Sequence, residues 1–300
     1  MHKITDNMRG ALFMMAGMAF FTFNDVCMKS LSGEVPLFQA IFMRGVLTST
    51  LMLVLVLATG GLTLNLPRKD WILLGVRTLA EAGAAFLFIS AVFNMPIGNA
   101  TAILQGLPLT VTLAGALFLQ EPVGWRRLLA ILIGFVGILL IVQPGAAGFN
   151  SYAIYAVLAV LVITLRDLAV RGMSQNVSSM TVAIVASVGV TVLAGVASVG
   201  EDWVRPQTGP LLLLVGASFF IIGGYIFSVM TMRIGNIGFI APFRYTGLLW
   251  ALVLGLLFFG EWPDELAMLG IAIVVGTGLF TLWRERKLSI APTPAEMRGR

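Results

Sequence analysis

Apolar stretches of about 20 residues recur about every 25 to 35 positions from Met8 to Trp283, and no long polar segment interrupts them. Each is long enough to cross the roughly 30 Å hydrocarbon layer of a bilayer as a helix. Lipid offers no partner to backbone N–H and C=O groups, so a spanning chain must be helical or form a closed β-barrel. Barrel strands alternate apolar and polar residues over about 10 positions. These runs are continuous, which leaves helices. Composition agrees, since 58% of residues are hydrophobic and 11% charged, against roughly a quarter charged in water-soluble domains. The sequence therefore describes an all-α membrane protein, with spans near 9–31, 37–59, 71–94, 97–120, 126–143, 152–171, 179–199, 210–232, 238–259 and 265–283. That makes ten transmembrane helices.

The first apolar run follows His2, Lys3 and Arg9 as a signal peptide would, but it lacks a small-residue cleavage site and nine more spans follow. It is read as the first helix. Cys27 is the single cysteine and His2 the single histidine, so neither an intrachain disulfide nor a Cys/His metal site is expected, and no cofactor is implied. The net charge of +5 is distributed unevenly. If both termini share one side, that side collects thirteen lysines and arginines, running from Lys3 and Arg9 through Arg68, Arg126 and Arg171 to Arg300, and the opposite loops hold Arg205 alone. The positive-inside rule then makes both termini cytoplasmic, and the basic balance reflects orientation rather than a nucleic-acid partner. Trp71, Trp125, Trp203, Trp262 and Trp283 fall at predicted helix ends, as an interfacial aromatic belt requires. Trp250 does not.

The two halves of the chain match. Near the end of the first span the sequence reads Asn24-Asp25-Val26-Cys27-Met28-Lys29, and 142 positions later the sixth span reads Arg166-Asp167-Leu168-Ala169-Val170-Arg171. Both blocks are Asp-x-x-x-basic. A second match runs from Ile97-Gly98-Asn99 to Gln120-Glu121-Pro122 in the first half, and from Ile234-Gly235-Asn236 to Gly260-Glu261-Trp262-Pro263 in the second. The expected units are 9–143 (spans one to five) and 152–283 (spans six to ten), followed by a cytoplasmic tail at 284–300. Five is odd, so the second unit enters the membrane upside down relative to the first. Two inverted five-helix repeats are the plan of many secondary transporters, with a site between the repeats and a gate on each side.

An ionisable side chain inside a bilayer costs about 2.5–3.5 kcal/mol on insertion scales, so each one needs a partner or a water-filled cavity. The candidates are Asp25 with Lys29, Arg44, Arg77 with Glu81, Arg166 and Asp167 with Arg171, and Arg244. Asp25/Lys29, Arg77/Glu81 and Asp167/Arg171 are each four apart, which puts both partners on one helix face within reach of each other. The mirrored pairs Asp25/Lys29 and Asp167/Arg171 can be ion pairs at the headgroups or elements of the two gates. Arg44 has no mirror cation, because the repeat offset places Ala186 there, and this asymmetry points to substrate or coupling. The ninth span opens with Ala241-Pro242-Phe243-Arg244-Tyr245 and continues to Trp250. Pro242 cannot donate to the helical ladder, Arg244 supplies fixed donors, and Phe243, Tyr245 and Trp250 offer flat faces for a conjugated ring. Ordinary helix packing is the competing reading of all four.

The chain has no Gly-x-x-x-x-Gly-Lys-Ser/Thr phosphate loop and no His-Glu-x-x-His, so an enzyme is not expected, and the absence of a Thr-Val-Gly-Tyr-Gly filter excludes one kind of channel. Asn24-Asp25 with Lys29, then Pro36 and Arg44, and a glutamate after the fourth helix of each half (Glu121-Pro122 and Glu261-Trp262-Pro263) together resemble the drug/metabolite transporter superfamily in its ten-helix EamA branch. The resemblance covers nearly the whole chain. Within that branch, the first-span block and Ala241-Pro242-Phe243-Arg244-Tyr245 look most like transporters of S-adenosylmethionine and of riboflavin, and Asn7-Met8-Arg9-Gly10-Ala11-Leu12 resembles the riboflavin group. It implies a central cavity between the repeats. The expected function is alternating-access transport of a small organic metabolite across the inner membrane, with riboflavin uptake leading and S-adenosylmethionine or amino-acid export or exchange as alternatives. A passive channel or a nontransporting scaffold is the reading from another class. The expected partners are the solute and membrane lipid, and a homodimer is compatible with the plan.

Overall fold

The computed structural model describes residues 5–59, 65–118, 120, 123–146, 149–174, 177–234 and 237–290. Twelve α-helices build ten spans: α1 (Asp6–Lys29), α2 (Leu37–Thr59), α3 (Arg68–Asn94), α4 (Ile97–Leu104) with α5 (Leu107–Phe118), α6 (Trp125–Val142), α7 (Tyr152–Arg171), α8 (Ser179–Ala197), α9 (Thr208–Arg233), α10 (Ile237–Ile240) with α11 (Thr246–Phe259), and α12 (Glu265–Ile290). The last helix runs past 283, so part of the expected tail is helical and the remainder, 291–300, lies outside the described residues. Glu121 and Pro122, which the repeat matches to Glu261 and Trp262-Pro263, also lie outside them.

Local chemistry sets the helix ends. Thr5 caps α1, its hydroxyl accepting from the Met8 N–H at 3.4 Å. Pro36 sits just ahead of α2 and Pro67 just ahead of α3, where a missing N–H costs nothing. At the end of α11 the backbone turns left-handed at Gly260 (φ 65°), a conformation that glycine adopts without a Cβ clash. The fourth and ninth spans are both interrupted. Gln105-Gly106 separates α4 from α5, with Pro108 in the first turn that follows, and a 3₁₀ segment, Ala241–Tyr245 with Pro242, separates α10 from α11. Breaks at corresponding positions of the two halves are what an inverted-repeat transporter uses to line a site.

Packing follows a pseudo-two-fold axis. α1 lies along α9 and α3 along α7, and these two contacts exchange when the repeats are swapped; α2 on α8, α6 on α12 and α4 on α11 each map onto themselves. Nearly every long helix of the first half is thus seated on one from the second, and the two inverted repeats form a single body. The outer surface is apolar, with Leu57, Leu79, Phe118 and Leu257 each more than 60% exposed. A water-soluble monomer does not present such a continuous apolar surface. This is a multi-pass membrane protein. The tryptophans at helix ends, Trp71, Trp125, Trp203, Trp262 and Trp283, are all exposed.

Without a hydrophobic drive between helices in lipid, close packing of small residues holds the bundle. α6 meets α12 at Gly137 and Gly270, where a methyl added to Gly270 would lie 2.5 Å from the Gly137 carbonyl oxygen. Gly276, two turns along the same helix, has nothing within 4 Å of such a methyl. Gly270→Ala should therefore lower stability by about 1–3 kcal/mol through overpacking, and Gly276→Ala should be neutral. Thermal unfolding of the purified variants in detergent checks this.

Candidate functional site

The start of α1 and the end of α12 lie at one end of the bundle, here the terminal face; the loops after α1, α3, α6, α8 and α11 lie at the other, the distal face. A cavity of about 480 Å³ sits between α1, α2, α3, α7, α8 and α9. Its wall reaches Val170, Met173, Ser174 and Val177, at the terminal end of α7 and the loop after it, and includes no residue of the distal loops. The broken fourth span touches it through Leu104.

Two polar clusters face this cavity. On α1 and α2, Asn24 is the hub: its Nδ2 donates to Asp25 Oδ1 at 2.9 Å, and its Oδ1 accepts from Arg44 Nη1 at 3.0 Å. Asn24 is 2% exposed, so the amide is fixed and orients both charged neighbours. On α3 and α7, Glu81 accepts from Arg166 Nη1 at 3.3 Å through each oxygen and lies 3.6 Å from Arg77 Nη2. Arg166 also pairs with Asp167, Nε and Nη2 each 2.9 Å from Oδ1. Phe88 and Tyr225 supply aromatic surface to the same wall.

The sequence-based expectations divide here. Asp25 and Arg44 line the cavity, joined through Asn24. Asp25 does not pair with Lys29, although the two are four apart. Lys29 Nζ instead reaches across to Glu261 Oε1 at 2.8 Å, donates to the Met95 carbonyl at 2.6 Å, and lies 5.2 Å from the centre of the Phe259 ring. The reason is position: Asp25 points inward beside Asn24, whereas Lys29 occupies the last residue of α1, where the loop after α11 supplies a carboxylate. Asp167 takes the adjacent Arg166 as its ion-pair partner, and Arg171 is exposed in the last turn of α7. Neither Asp167 nor Arg171 is in the cavity wall.

The ninth span contributes less than expected. Arg244 is half-buried in the 3₁₀ segment and makes no hydrogen bond or ion pair among the described residues. Tyr245 is 7% exposed, with its hydroxyl against Gly278 of α12 rather than in the cavity. Trp250 is 38% exposed and lines no part of the cavity. The aromatic wall comes instead from Phe88 and Tyr225, which carry no signal in a chain with 20 phenylalanines and 4 tyrosines. The Glu81–Arg166 contact, 85 residues apart, was equally invisible to local spacing.

The distal face is tied shut. Besides Lys29–Glu261, Glu261 Oε2 accepts from the Ile97 N–H at the start of α4 (3.1 Å), so one carboxylate joins α1, α4 and the α11–α12 loop. The left-handed turn at Gly260 presents that carboxylate. Glu201 accepts from the first N–H groups of α2, at Phe38 (2.9 Å) and Gln39 (2.8 Å), and Gln39 exchanges two more hydrogen bonds with Val204. Asn150 donates to the Asn94 carbonyl at 2.6 Å, and Gln143 to Asp264 at 2.8 Å. On the terminal face Ser174 is linked to Asp70, through the backbone N–H at 3.1 Å and the hydroxyl at 2.6 Å.

A model of the EamA-like transporter family matches residues 8–143 and again 150–283. The chain belongs to that family. Among curated relatives of this EamA-like transporter, an S-adenosylmethionine uptake transporter of Rickettsia conorii is 26% identical over 88% of this chain and 89% of its own length. A riboflavin transporter of Vibrio cholerae is 28% identical over 93% of this chain and 95% of its own. A pseudopaline exporter of Pseudomonas aeruginosa is 26% identical, covering 87% and 92%. A crystal structure that is 18% identical superposes with a TM-score of 0.66 over 93% of this chain and 98% of that one, a likeness of fold. The chain is thus a transporter of small metabolites, and its relatives are named as transporters rather than as enzymes.

The distal tie predicts a coupled pair of phenotypes. Lys29→Met and Glu261→Gln should each reduce transport several-fold at near-normal membrane abundance. The double variant should lose little beyond either single one, since both remove the same contact. Flux assays on matched membrane preparations read the result.

Proposed function

We propose that this chain moves its solute by alternating access in the inner membrane, with the terminal face cytoplasmic and the cavity open to that side in this conformation. The uneven distribution of cations supports the orientation, and the closed distal face supports a carrier over an open pore. The solute that fits best carries charges of both signs, as S-adenosylmethionine does with its ammonium, sulfonium and carboxylate. The observation that carries this reading is the wall itself: Asp25 and Glu81 with Arg44, Arg77 and Arg166 around one 480 Å³ space. Charges of both signs around one space favour a ligand that complements each of them. Asp25 has a carboxylate oxygen not committed to Asn24, suited to the ammonium or sulfonium. Arg44, oriented by Asn24, adds a donor in the same cluster. The Rickettsia relatives are named for the same solute.

Riboflavin is the second reading. It is favoured by the Vibrio relative and by the aromatic surfaces of Phe88 and Tyr225, on which an isoalloxazine ring can stack. A neutral solute leaves the charges of the wall unused, which is why it ranks second.

Cells expressing the chain should accumulate labelled S-adenosylmethionine saturably, and Asp25→Asn should cut uptake by about tenfold or more through loss of a charge-assisted contact. Trp250→Ala, outside the cavity, should leave uptake near the wild-type value. Absence of uptake at confirmed membrane expression, together with rescue of a riboflavin-requiring host by low external riboflavin, would replace the first reading with the second.

A further inference from the structure

A solute with charges of both signs needs one wall group of each sign that its neighbours do not already engage. On the α3 and α7 side they are engaged. Glu81 lies between Arg166 and Arg77, the Nε–Nη2 edge of Arg166 is filled by Asp167 Oδ1 at 2.9 Å, and Arg77 Nε and Nη1 are sealed from solvent. The α1 and α2 side is different. Asp25 Oδ1 and Arg44 Nη1 each bond to the Asn24 amide, at 2.9 and 3.0 Å, and the two charged groups make no ion pair among the described residues. Asp25 Oδ2 and Arg44 Nε and Nη2 have no hydrogen bond among those residues. Unlike the Arg77 donors they are not sealed, and both side chains are partly exposed in the cavity wall.

We infer that Asn24, Asp25 and Arg44 form a subsite for the headgroup of an α-amino acid, with Asp25 taking the ammonium and Arg44 the carboxylate. The inference rests on the zwitterion reading above and deepens it to a substrate class. An α-amino acid carries both charges on one carbon, so its two contacts must be of opposite sign and close together. Two charged groups joined through a single amide have that form. The open edge of Arg44 is the one that Nε and Nη2 share, whose N–H bonds run parallel and match the two oxygens of a carboxylate. Arg166 already uses that edge on Asp167, which shows the same chemistry filled from within the protein. Asn24 is the positioning residue. Locked between the two charges at 2% exposure, it holds each by a hydrogen bond and keeps them from closing into a direct ion pair that would leave neither for the solute. The repeat offset puts Ala186 at the position that mirrors Arg44, and Ala186 is also in the wall, so the cavity holds one such subsite rather than a mirrored pair.

The test uses three ligands on the purified full chain, with affinity read from ligand-dependent thermal unfolding: L-methionine, 3-(methylthio)propylamine, which lacks the carboxylate, and 4-(methylthio)butanoate, which lacks the ammonium. Each partial analogue should bind about tenfold or more weakly than methionine. Arg44→Gln should erase the difference between methionine and the amine and keep that between methionine and the butanoate; Asp25→Asn should do the reverse. Asn24→Leu should narrow both differences together, and Asn24→Gln, which retains an amide, should restore part of each. If Arg44→Gln does not accumulate, Arg44→Lys keeps the charge without the parallel edge and should narrow the first difference alone. Variants that weaken all three ligands equally mark these residues as structural and overturn the inference. Flux of S-adenosylmethionine against its decarboxylated counterpart, S-adenosylmethioninamine, in proteoliposomes separates this outcome from failure of the substrate reading. The crossed pattern of binding without S-adenosylmethionine flux removes that solute and keeps the headgroup subsite. Equal flux of the two adenosyl compounds keeps the solute and overturns the subsite, as does the absence of both selective binding and flux.

Discussion

A charge left alone in hydrocarbon is the most expensive thing this chain could contain, and the arrangement of its interior follows from avoiding it. At about 2.5–3.5 kcal/mol each even on the mildest scale, Asp25, Arg44, Arg77, Glu81 and Arg166 survive because they converge on one cavity and on each other. Their convergence needs helices from both halves of the chain: α1 and α2 bring one cluster, α3 and α7 the other. That requirement matches the packing, in which each long helix of one repeat rests on a helix of the other. Glycine contacts such as Gly137 with Gly270 let the backbones approach closely enough for the bundle to close around the charged centre.

Inverted repeats give the molecule two equivalent faces, yet the structure treats them unequally. Lys29, Glu201 and Asp264 tie the distal loops to helix starts and ends, and the cavity extends the other way, to Ser174 and Val177. Hydrogen bonds contribute only about 0.5–1.5 kcal/mol net each. A set of modest ties can therefore hold one face shut without making the alternative inaccessible, which a carrier that must cycle requires. The breaks at Gln105-Gly106 and at Ala241–Tyr245 fall in spans related by the repeat. They supply places where a helix half can tilt without the whole helix moving.

Features with a one-dimensional signature were legible in the sequence. Continuous apolar runs gave the spans to within a few residues, since lipid allows nothing but helix there. The matched blocks at Asp25 and Asp167 marked the inversion, and Pro242 marked the break in the ninth span. What spacing could not supply was the partner of a given charge. The i to i+4 rule describes an isolated helix, and it held for Arg77 with Glu81 but not for Asp25 with Lys29, because the loop beyond α11 brings Glu261 to Lys29. The rotation of α11 was likewise beyond reach. In a span that is apolar all round, no periodicity tells which side faces the interior, and Trp250 lies outside the cavity wall while Tyr225, from α9, is part of it.

The central claim is that one cavity between the repeats, closed at the distal face and open at the terminal face, is the route of the solute. Ala85 lies in the cavity wall one turn beyond Glu81, and the single native thiol, Cys27, can be removed. In a Cys27→Ser, Ala85→Cys chain, labelling by a membrane-impermeant maleimide added separately to each side of oriented vesicles measures that route directly. The account predicts rapid labelling from the terminal side, slow labelling from the distal side, and protection by S-adenosylmethionine. Equal labelling from both sides, or labelling that no transported solute slows, would contradict it.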